Sequence, residues 1–316
     1  MTPKYIDIHS HVNFRAFDLD RDEVIKRALD NDTWIINVGT QIDTSRKAVE
    51  LAGKYKEGVY AIVGLHPIHT SASYHDEKEL GPASAKVSDG QGGREGFMSR
   101  GEIFDKSAYR ELLKNPKVVG IGECGLDYYR CDQESVEKQK EAFIQQIELA
   151  NEFDKPLMLH IRNNKEDRIT WRFGRQVATE PPSPGNAYFD ALELLKKYLK
   201  DKPAYAQGFG GARGDVHFFA GNWEEAKAFL DFGFTLSFTG VITFTHDYDE
   251  VIRNTPLYMI MSETDCPYVS PVPYRGKRNE PLYVTEVVKK IALIKNLPEP
   301  EVAEAIVGNA QRVFNL

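Results

Sequence analysis

Cysteine is scarce in this chain: three in 316 residues, Cys124, Cys131 and Cys266. The odd number, with no CxxC pair, argues against both a disulfide framework and a cysteine zinc cluster, so reduced thiols are expected. No segment offers the roughly 18 uninterrupted apolar residues that a membrane helix needs, so no membrane association is expected. Positive charge is not in excess either. The 40 Lys and Arg against 47 Asp and Glu leave a net charge of -7, which speaks against a generally basic nucleic-acid-binding surface but leaves room for a local basic patch or a metal site. No charged, apolar, small-residue series resembling a signal peptide precedes the first strand-like pattern, and the expected compartment is the cytoplasm. Low-complexity tracts are missing, and 41% hydrophobic with 28% charged residues is the composition of a globular protein with a large core.

Eight apolar runs of strand length recur along the chain: YIDIHSH (5–11), TWIINVG (33–39), VYAIVGLH (59–66), VVGIGECG (118–125), PLMLHIR (156–162), GDVHFFA (214–220), FTLSFTG (234–240) and LYMIMSETD (257–265). Near-continuous apolarity is the mark of parallel strands covered on both faces. Between them lie stretches with helical spacing, among them QESVEKQKEAFIQQIELANEF and NWEEAKAFLDFG, where Asn222 and Glu225 have the spacing of a capping box. The alternation predicts an α/β fold, a (β/α)8 TIM barrel forming a single domain over residues 1–316, with a doubly wound open sheet as the alternative. Two polar stretches rich in Gly, Pro and charge, about 70–108 and 163–188, break the rhythm after strand ends and are expected to be insertions in βα loops.

The polar residues able to do chemistry fall at the C-terminal ends of these strands. His9 and His11 end the first, His66 the third, Glu123 the fourth and His160 the fifth; His217 lies in the sixth, and Glu263 and Asp265 end the eighth. Positions i and i+2 on a strand share a face, so His9 and His11 can converge on one ion. Any one of these residues has a bland explanation, since a lone histidine in an apolar strand is more often a hydrogen-bonded core residue than a ligand. The coincidence is what counts, because in a barrel all these ends meet at one mouth. Four histidines and two carboxylates from five strands make six N/O ligands, too many for one four-coordinate catalytic zinc, and suit two divalent ions sharing a carboxylate. Histidine and carboxylate without thiolate fit Zn, Mn or Mg. Two such ions roughly 3.5–4 Å apart activate water and clamp the attacking and leaving oxygens of a phosphoryl displacement.

The stretch PYRGKRNEP (273–281) places Arg275, Lys277 and Arg278 around Gly276, a positive cluster in an acidic chain that is either a solvated loop or a phosphate grip. Tyr128 and Arg162 follow strands that carry candidate ligands and are expected to line a substrate pocket. Cys124 and Cys266 neighbour ligands but have no evident base and are expected to pack. His69 and His75 are expected at the surface, and His246 in a structural role.

The ordered set DIHSH (7–11), GLHP (64–67), GECGLDY (122–128), HIR (160–162), HFFAG (217–221), ETDCPY (263–268), RGKRNEP (275–281) and GNAQRVF (308–314) resembles the TatD family of metal-dependent deoxyribonucleases, amidohydrolase-like TIM-barrel metallohydrolases, over nearly the whole chain. Each motif alone is a weak pattern. The resemblance implies a two-metal centre in which His9, His11 and Asp265 hold one ion, His160 and His217 the other, and Glu123 bridges. It implies a DNA phosphodiester substrate, often cleaved as a 3′–5′ exonuclease; no protein partner is expected. VVGIGECG has no lysine where many other amidohydrolases bridge their metals with a modified one, and HPIH (66–69) departs from the family's HPH. The catalytic residues would be Asp265, which orients the nucleophile and takes its proton, and Glu123. Asp7 and Glu263 would hold histidine ligands, and His66, Arg275, Lys277 and Arg278 would grip phosphates. The rivals are an amide or ester hydrolase of deacylase type on the same metals, and a non-catalytic scaffold.

Overall fold

The computed structural model of the chain describes residues 2–71, 74–76, 87–88, 95–98, 101–129, 131–164, 185–200 and 213–316. In chain order the strands are β1 (Tyr5–Ser10), β2 (Thr33–Val38), β3 (Val59–Val63), β4 (Tyr74–Asp76), β5 (Val87–Ser88), β6 (Glu95–Met98), β7 (Val118–Asp127), β8 (Leu157–Arg162), β9 (Gly214–Val216), β10 (Phe234–Phe238) and β11 (Ile260–Ser262). The helices are α1 (Arg21–Leu29), α2 (Ile42–Gly53), α3 (Lys106–Leu113), α4 (Gln133–Phe153), α5 (Ala187–Tyr198), α6 (Trp223–Asp231), α7 (Asp249–Asn254), α8 (Val284–Lys295) and α9 (Glu299–Phe314).

Among the described residues, eight strands form one sheet in the order β1-β2-β3-β7-β8-β9-β10-β11, with neighbouring strands parallel throughout. The ring is drawn shut at β1 and β11. Ser10 and Cys266 form a parallel bridge, His11 N donates to Cys266 O at 2.9 Å, and the Ser262 hydroxyl donates to Ile6 O at 3.3 Å. This is the TIM barrel, not the open sheet. All six residues of β1 and all ten of β7 are buried, as strands between a filled barrel interior and a jacket of helices must be.

Two strands are shorter than the apolar pattern implies. Residues 257–259 form a 3-10 turn, so the eighth strand is only Ile260–Ser262, and Glu263 and Asp265 lie on the loop beyond it. β9 is three residues long and ends just before His217. The backbone at both strand ends breaks away from the sheet to carry these side chains, which periodicity cannot register. In the stretch 70–108, β4, β6 and β5 make a small antiparallel sheet, and α3 begins inside the stretch, capped by Asp105. Residues 165–184 of the second stretch lie outside the described residues.

The helices show why the barrel ends are held so firmly. α4 buries Val136, Gln139, Ala142, Phe143, Gln146, Ile147, Leu149 and Ala150, the three-and-four spacing of one helical face. Two of these are glutamines, seven residues apart and so on the same side. Gln146 accepts from Leu65 N (2.9 Å) and donates to Leu65 O (3.1 Å); Gln139 accepts from Asp127 N (2.7 Å) and donates to Asp127 O (2.9 Å). A helix therefore closes the backbone hydrogen bonds of two strand ends that no neighbouring strand satisfies, as buried amides require. Further along the ring, Asn222 and Glu225 form the capping box of α6, and Asn309 of α9 donates to Leu257 O and Ile260 O at 2.9 and 2.8 Å.

Gln146→Leu keeps the volume but leaves the Leu65 N–H and C=O unpaired in the interior. It is expected to cost roughly 2–3 kcal/mol in urea unfolding. A loss below about 0.5 kcal/mol would show that the clamp is dispensable.

Candidate metal centre

The barrel gathers the predicted donors at one mouth, around Glu123. Its two carboxylate oxygens face different groups. Oε2 lies 3.4 Å from His9 Nε2 and 3.8 Å from His11 Nε2. Oε1 lies 2.8 Å from His217 Nε2, 2.9 Å from His160 Nδ1 and 3.3 Å from His66 Nε2. Asp265 Oδ1 joins the first group, 3.3 Å from His11 Nε2 and 3.9 Å from His9 Nε2. His9, His11 and Asp265 present donor atoms close enough together to hold an ion, as do His66, Glu123 and His160.

Which histidines can donate a lone pair is decided by what lies behind each ring. A backbone carbonyl, Val38 O, sits 2.9 Å from His11 Nδ1, so the proton is on Nδ1 and Nε2 is bare toward the centre. Glu263 Oε1 stands 3.3 Å from His217 Nδ1, a charge contact outside hydrogen-bond alignment, and leaves Nε2 for the centre. His66 is the opposite case. Its Nδ1 accepts from Ile68 N at 3.1 Å, so the proton is on Nε2, which makes His66 a hydrogen-bond donor rather than a ligand. A buried set of nitrogens and carboxylate oxygens around one shared carboxylate, with no lysine or arginine among them, fits divalent cations.

Electrostatics follow from the crowding. Burial alone would raise the Glu123 pKa, but the charges of His66, His217 and His9 outweigh it and hold the carboxyl well below the usual range. Burial, then the charge of His160, pushes His66 down to about 4. Burial and His217 lower His9. For His217 burial is overcome by the charges of Glu123 and Glu263, which raise it well above an ordinary imidazole.

Asp265 reaches the centre from an unusual backbone. Its φ is +52°, a left-handed conformation that costs a non-glycine residue about 1–3 kcal/mol, and Phe218, beside His217, has φ +46°. Hydrogen bonds hold both in place: Asp265 N to His9 O at 2.9 Å, and Phe218 N to Glu263 Oε1 at 2.6 Å.

The supporting acids divide. Glu263 stands behind His217 and also accepts from Ser237 Oγ at 2.9 Å. Asp7 instead takes Thr264 N and Oγ1 at 2.9 and 2.5 Å and reaches only the backbone amide of His9, so it fixes the β1–β11 seam rather than a ring. Asp127, not anticipated, accepts from His160 Nε2 at 3.0 Å. The signal was present in GECGLDY, where Asp127 follows Glu123 by four residues on one strand.

A cavity of about 320 Å³ opens over the centre, walled by Phe14, Ile68, Ile161, Phe218 and Tyr268 with the donors at its floor. Arg162 lines it, half exposed, its guanidinium 2.7 Å from Asp127 Oδ2 and stacked over Tyr129. His69, expected at the surface, is buried and also lines the cavity. The side chain of His75 lies outside the described residues, and His246 is exposed, paired with Asp249 at 2.9 Å.

Other predicted substrate residues stand elsewhere. Tyr128 is buried and its hydroxyl donates to Asp190 Oδ2 at 2.7 Å, facing α5 rather than the cavity. Arg278 is spent on a two-pronged bond to Asp20 (2.9 and 2.5 Å) and on Ala16 O. Arg275 donates to Ser270 O at 2.9 Å and stacks on Phe244, and Lys277 is exposed. The basic cluster is thus largely a clasp between loop and α1, because the Asp20 carboxylate lies within its reach. Cys124 and Cys266 are buried thiols whose pKa values burial pushes up, as packing roles require.

A parallel eight-stranded barrel with histidines and carboxylates converging at its C-terminal mouth defines the class, a TIM-barrel metallohydrolase. The sequence profile described as TatD related DNase matches residues 6–315, and the chain belongs to this family of metal-dependent hydrolases. A metal-dependent hydrolase of Bacillus subtilis (strain 168), YabD, is 32% identical over 313 residues, 98% of each chain. The 3'-5' ssDNA/RNA exonuclease TatD of Rahnella sp. (strain Y9602) is 27% identical over 318 residues, again 98% of each. Among solved structures, YjjV, a TatD homologue from Escherichia coli K12, superposes with a TM-score of 0.72 at 24% identity over the full length of both chains, a likeness of fold.

Glu123→Gln removes the charge that both donor groups face. Divalent-metal affinity is expected to fall by more than the roughly 10–100-fold typical of outer-sphere partners, read by metal analysis after equilibrium dialysis. A variant that retains the full metal content would overturn the shared-carboxylate geometry.

Proposed function

We propose that the protein is a nuclease that hydrolyses DNA phosphodiester bonds with two divalent ions, Zn, Mn or Mg. His9, His11 and Asp265 would hold one ion, His160 and His217 the other, and Glu123 would bridge them. The observation that carries this reading is the split of Glu123, one oxygen facing each group of histidines. The ions, when bound, would supply an activated water and neutralise charge on the phosphate.

The chain's own residues would do the rest. Asp265, at the rim of the centre and 14% exposed, takes the proton of the attacking water. His66 presents Nε2–H to a phosphate oxygen, and Arg162 offers its guanidinium fork from the cavity wall. The apolar walls exclude bulk water, which strengthens each of these contacts. Substrate enters from solvent, and the whole chain, residues 1–316, acts in the cytoplasm as one barrel domain without a protein partner. No helix among the described residues is long and apolar enough to cross a membrane. Support for DNA comes from the family's description and from the activity named for the Rahnella relative.

One observation favours the second reading, hydrolysis of amides or esters on the same metals. Among the described residues lining the cavity, Arg162 is the sole lysine or arginine, and the wall is otherwise largely apolar. The basic loop does not line it.

Purified protein loaded in turn with Zn, Mn and Mg is expected to shorten a 3′-labelled DNA strand. Asp265→Ala is expected to lose about 10²–10⁴-fold of that rate. Wild-type protein inert on DNA but active on an amide or ester panel would replace the first reading by the second.

A further inference from the structure

His160 differs from the other histidines of the centre in which nitrogen it turns inward. His9, His11 and His217 face Glu123 with Nε2, whereas His160 faces it with Nδ1. Its ring is held at both nitrogens by carboxylates from a single strand: Glu123 Oε1 at 2.9 Å from Nδ1 and Asp127 Oδ2 at 3.0 Å from Nε2. Both acids belong to β7, which runs four residues past Glu123. Asp127 is fully buried and held on every side. Tyr129 N donates to its Oδ1 at 2.9 Å and Arg162 Nε to the same oxygen at 3.0 Å, while Gln139 grips its backbone at both N and O. A carboxylate cannot give a proton to His160 while it accepts from arginine, so Asp127 keeps a proton on Nε2; Glu123 can accept from Nδ1 in the metal-free chain, and a cation held at Glu123 would meet the Nδ1 lone pair instead.

We propose that Asp127 is the positioning residue of the centre: it selects the tautomer and orientation of His160, so that this ligand engages metal through Nδ1, and it anchors the cavity arginine, Arg162, with the same carboxylate. One buried group then aligns a metal ligand and a substrate-side cation. The inference builds on the two-ion reading above, but its test needs no substrate.

Two measurements on the full chain decide it. In metal-free protein, long-range ¹H–¹⁵N NMR of the histidine rings, assigned with His160→Gln, should show His160 protonated at Nε2 in the wild type, whether or not Nδ1 also carries a proton toward Glu123, and a shift to Nδ1–H with a bare Nε2 in Asp127→Ala. In titrations of the metal-free protein with Zn or Mn, Asp127→Ala should bind roughly 10–100-fold more weakly. Gln139→Leu, which breaks only the backbone clasp behind Asp127, controls for lost stability and should keep both the tautomer and the affinity. An unchanged tautomer in Asp127→Ala overturns the proposal, as does metal affinity equal to wild type or equally lost in Gln139→Leu. If the wild type binds no divalent metal, the two-ion reading fails, and the tautomer measurement still judges Asp127.

Discussion

Glu123 is a carboxylate with almost no access to water, and four imidazoles stand within 3.4 Å of it. Such a charge is tolerable in an interior only if its neighbours stabilise it, and here histidines at the ends of β1, β8 and β9 and beyond β3 do so. The rest of the site is arranged around that requirement. Val38 O and Glu263 stand behind rings that must aim Nε2 inward, Asp127 stands behind the one ring that aims Nδ1, and the Ile68 amide turns His66 into a donor. Because the stabilising groups come from separate strands, none can shift without disturbing a charge they all share. Divalent ions at this place would complete an arrangement already built for cations.

The barrel makes this convergence inexpensive in chain length. Parallel strands deliver their C-terminal ends to a single mouth, so one or two residues per strand suffice to assemble the donor set. The helices then hold the strand ends steady. Gln146 and Gln139 of α4 complete the backbone bonding of Leu65, beside His66, and of Asp127, which itself stands behind His160. At β11 the sheet ends early, and a left-handed turn carries Asp265 to His11. Strain of this kind persists because the bonds from Asp265 N to His9 and from Phe218 N to Glu263 leave the chain no other path.

Much of the surface charge works on structure rather than on ligands. Arg278 binds Asp20, Arg27 binds Glu280 and Arg275 lies over Phe244, so the RGKRNEP stretch ties the loop beyond β11 to α1. An arginine near an exposed aspartate or an aromatic ring will take that partner, and a sequence does not show which partner is near. Arg162 escapes this outcome only in part, since Asp127 holds one side of its guanidinium while the remainder faces the cavity.

The sequence by itself determined the barrel and the donor set. Near-continuous apolar runs alternating with helical spacing are what parallel strands covered on both faces leave in a sequence, and HxH at the end of the first places two side chains on one face of a strand whatever lies around them. Local chemistry of that kind is written in neighbouring residues, as in the Asn222–Glu225 capping box. The division of labour within the set was decided only by the tertiary structure: which oxygen of Glu123 meets which rings, why His66 turns a proton inward while His11 turns a lone pair, and that Asp127 rather than Asp7 stands behind a ring. Those roles depend on contacts between residues tens to hundreds of positions apart, such as Asp7 with Thr264 and Tyr128 with Asp190. Spacing along one strand reports a shared face, but a proton's position on an imidazole is fixed by whatever the closed barrel brings behind it.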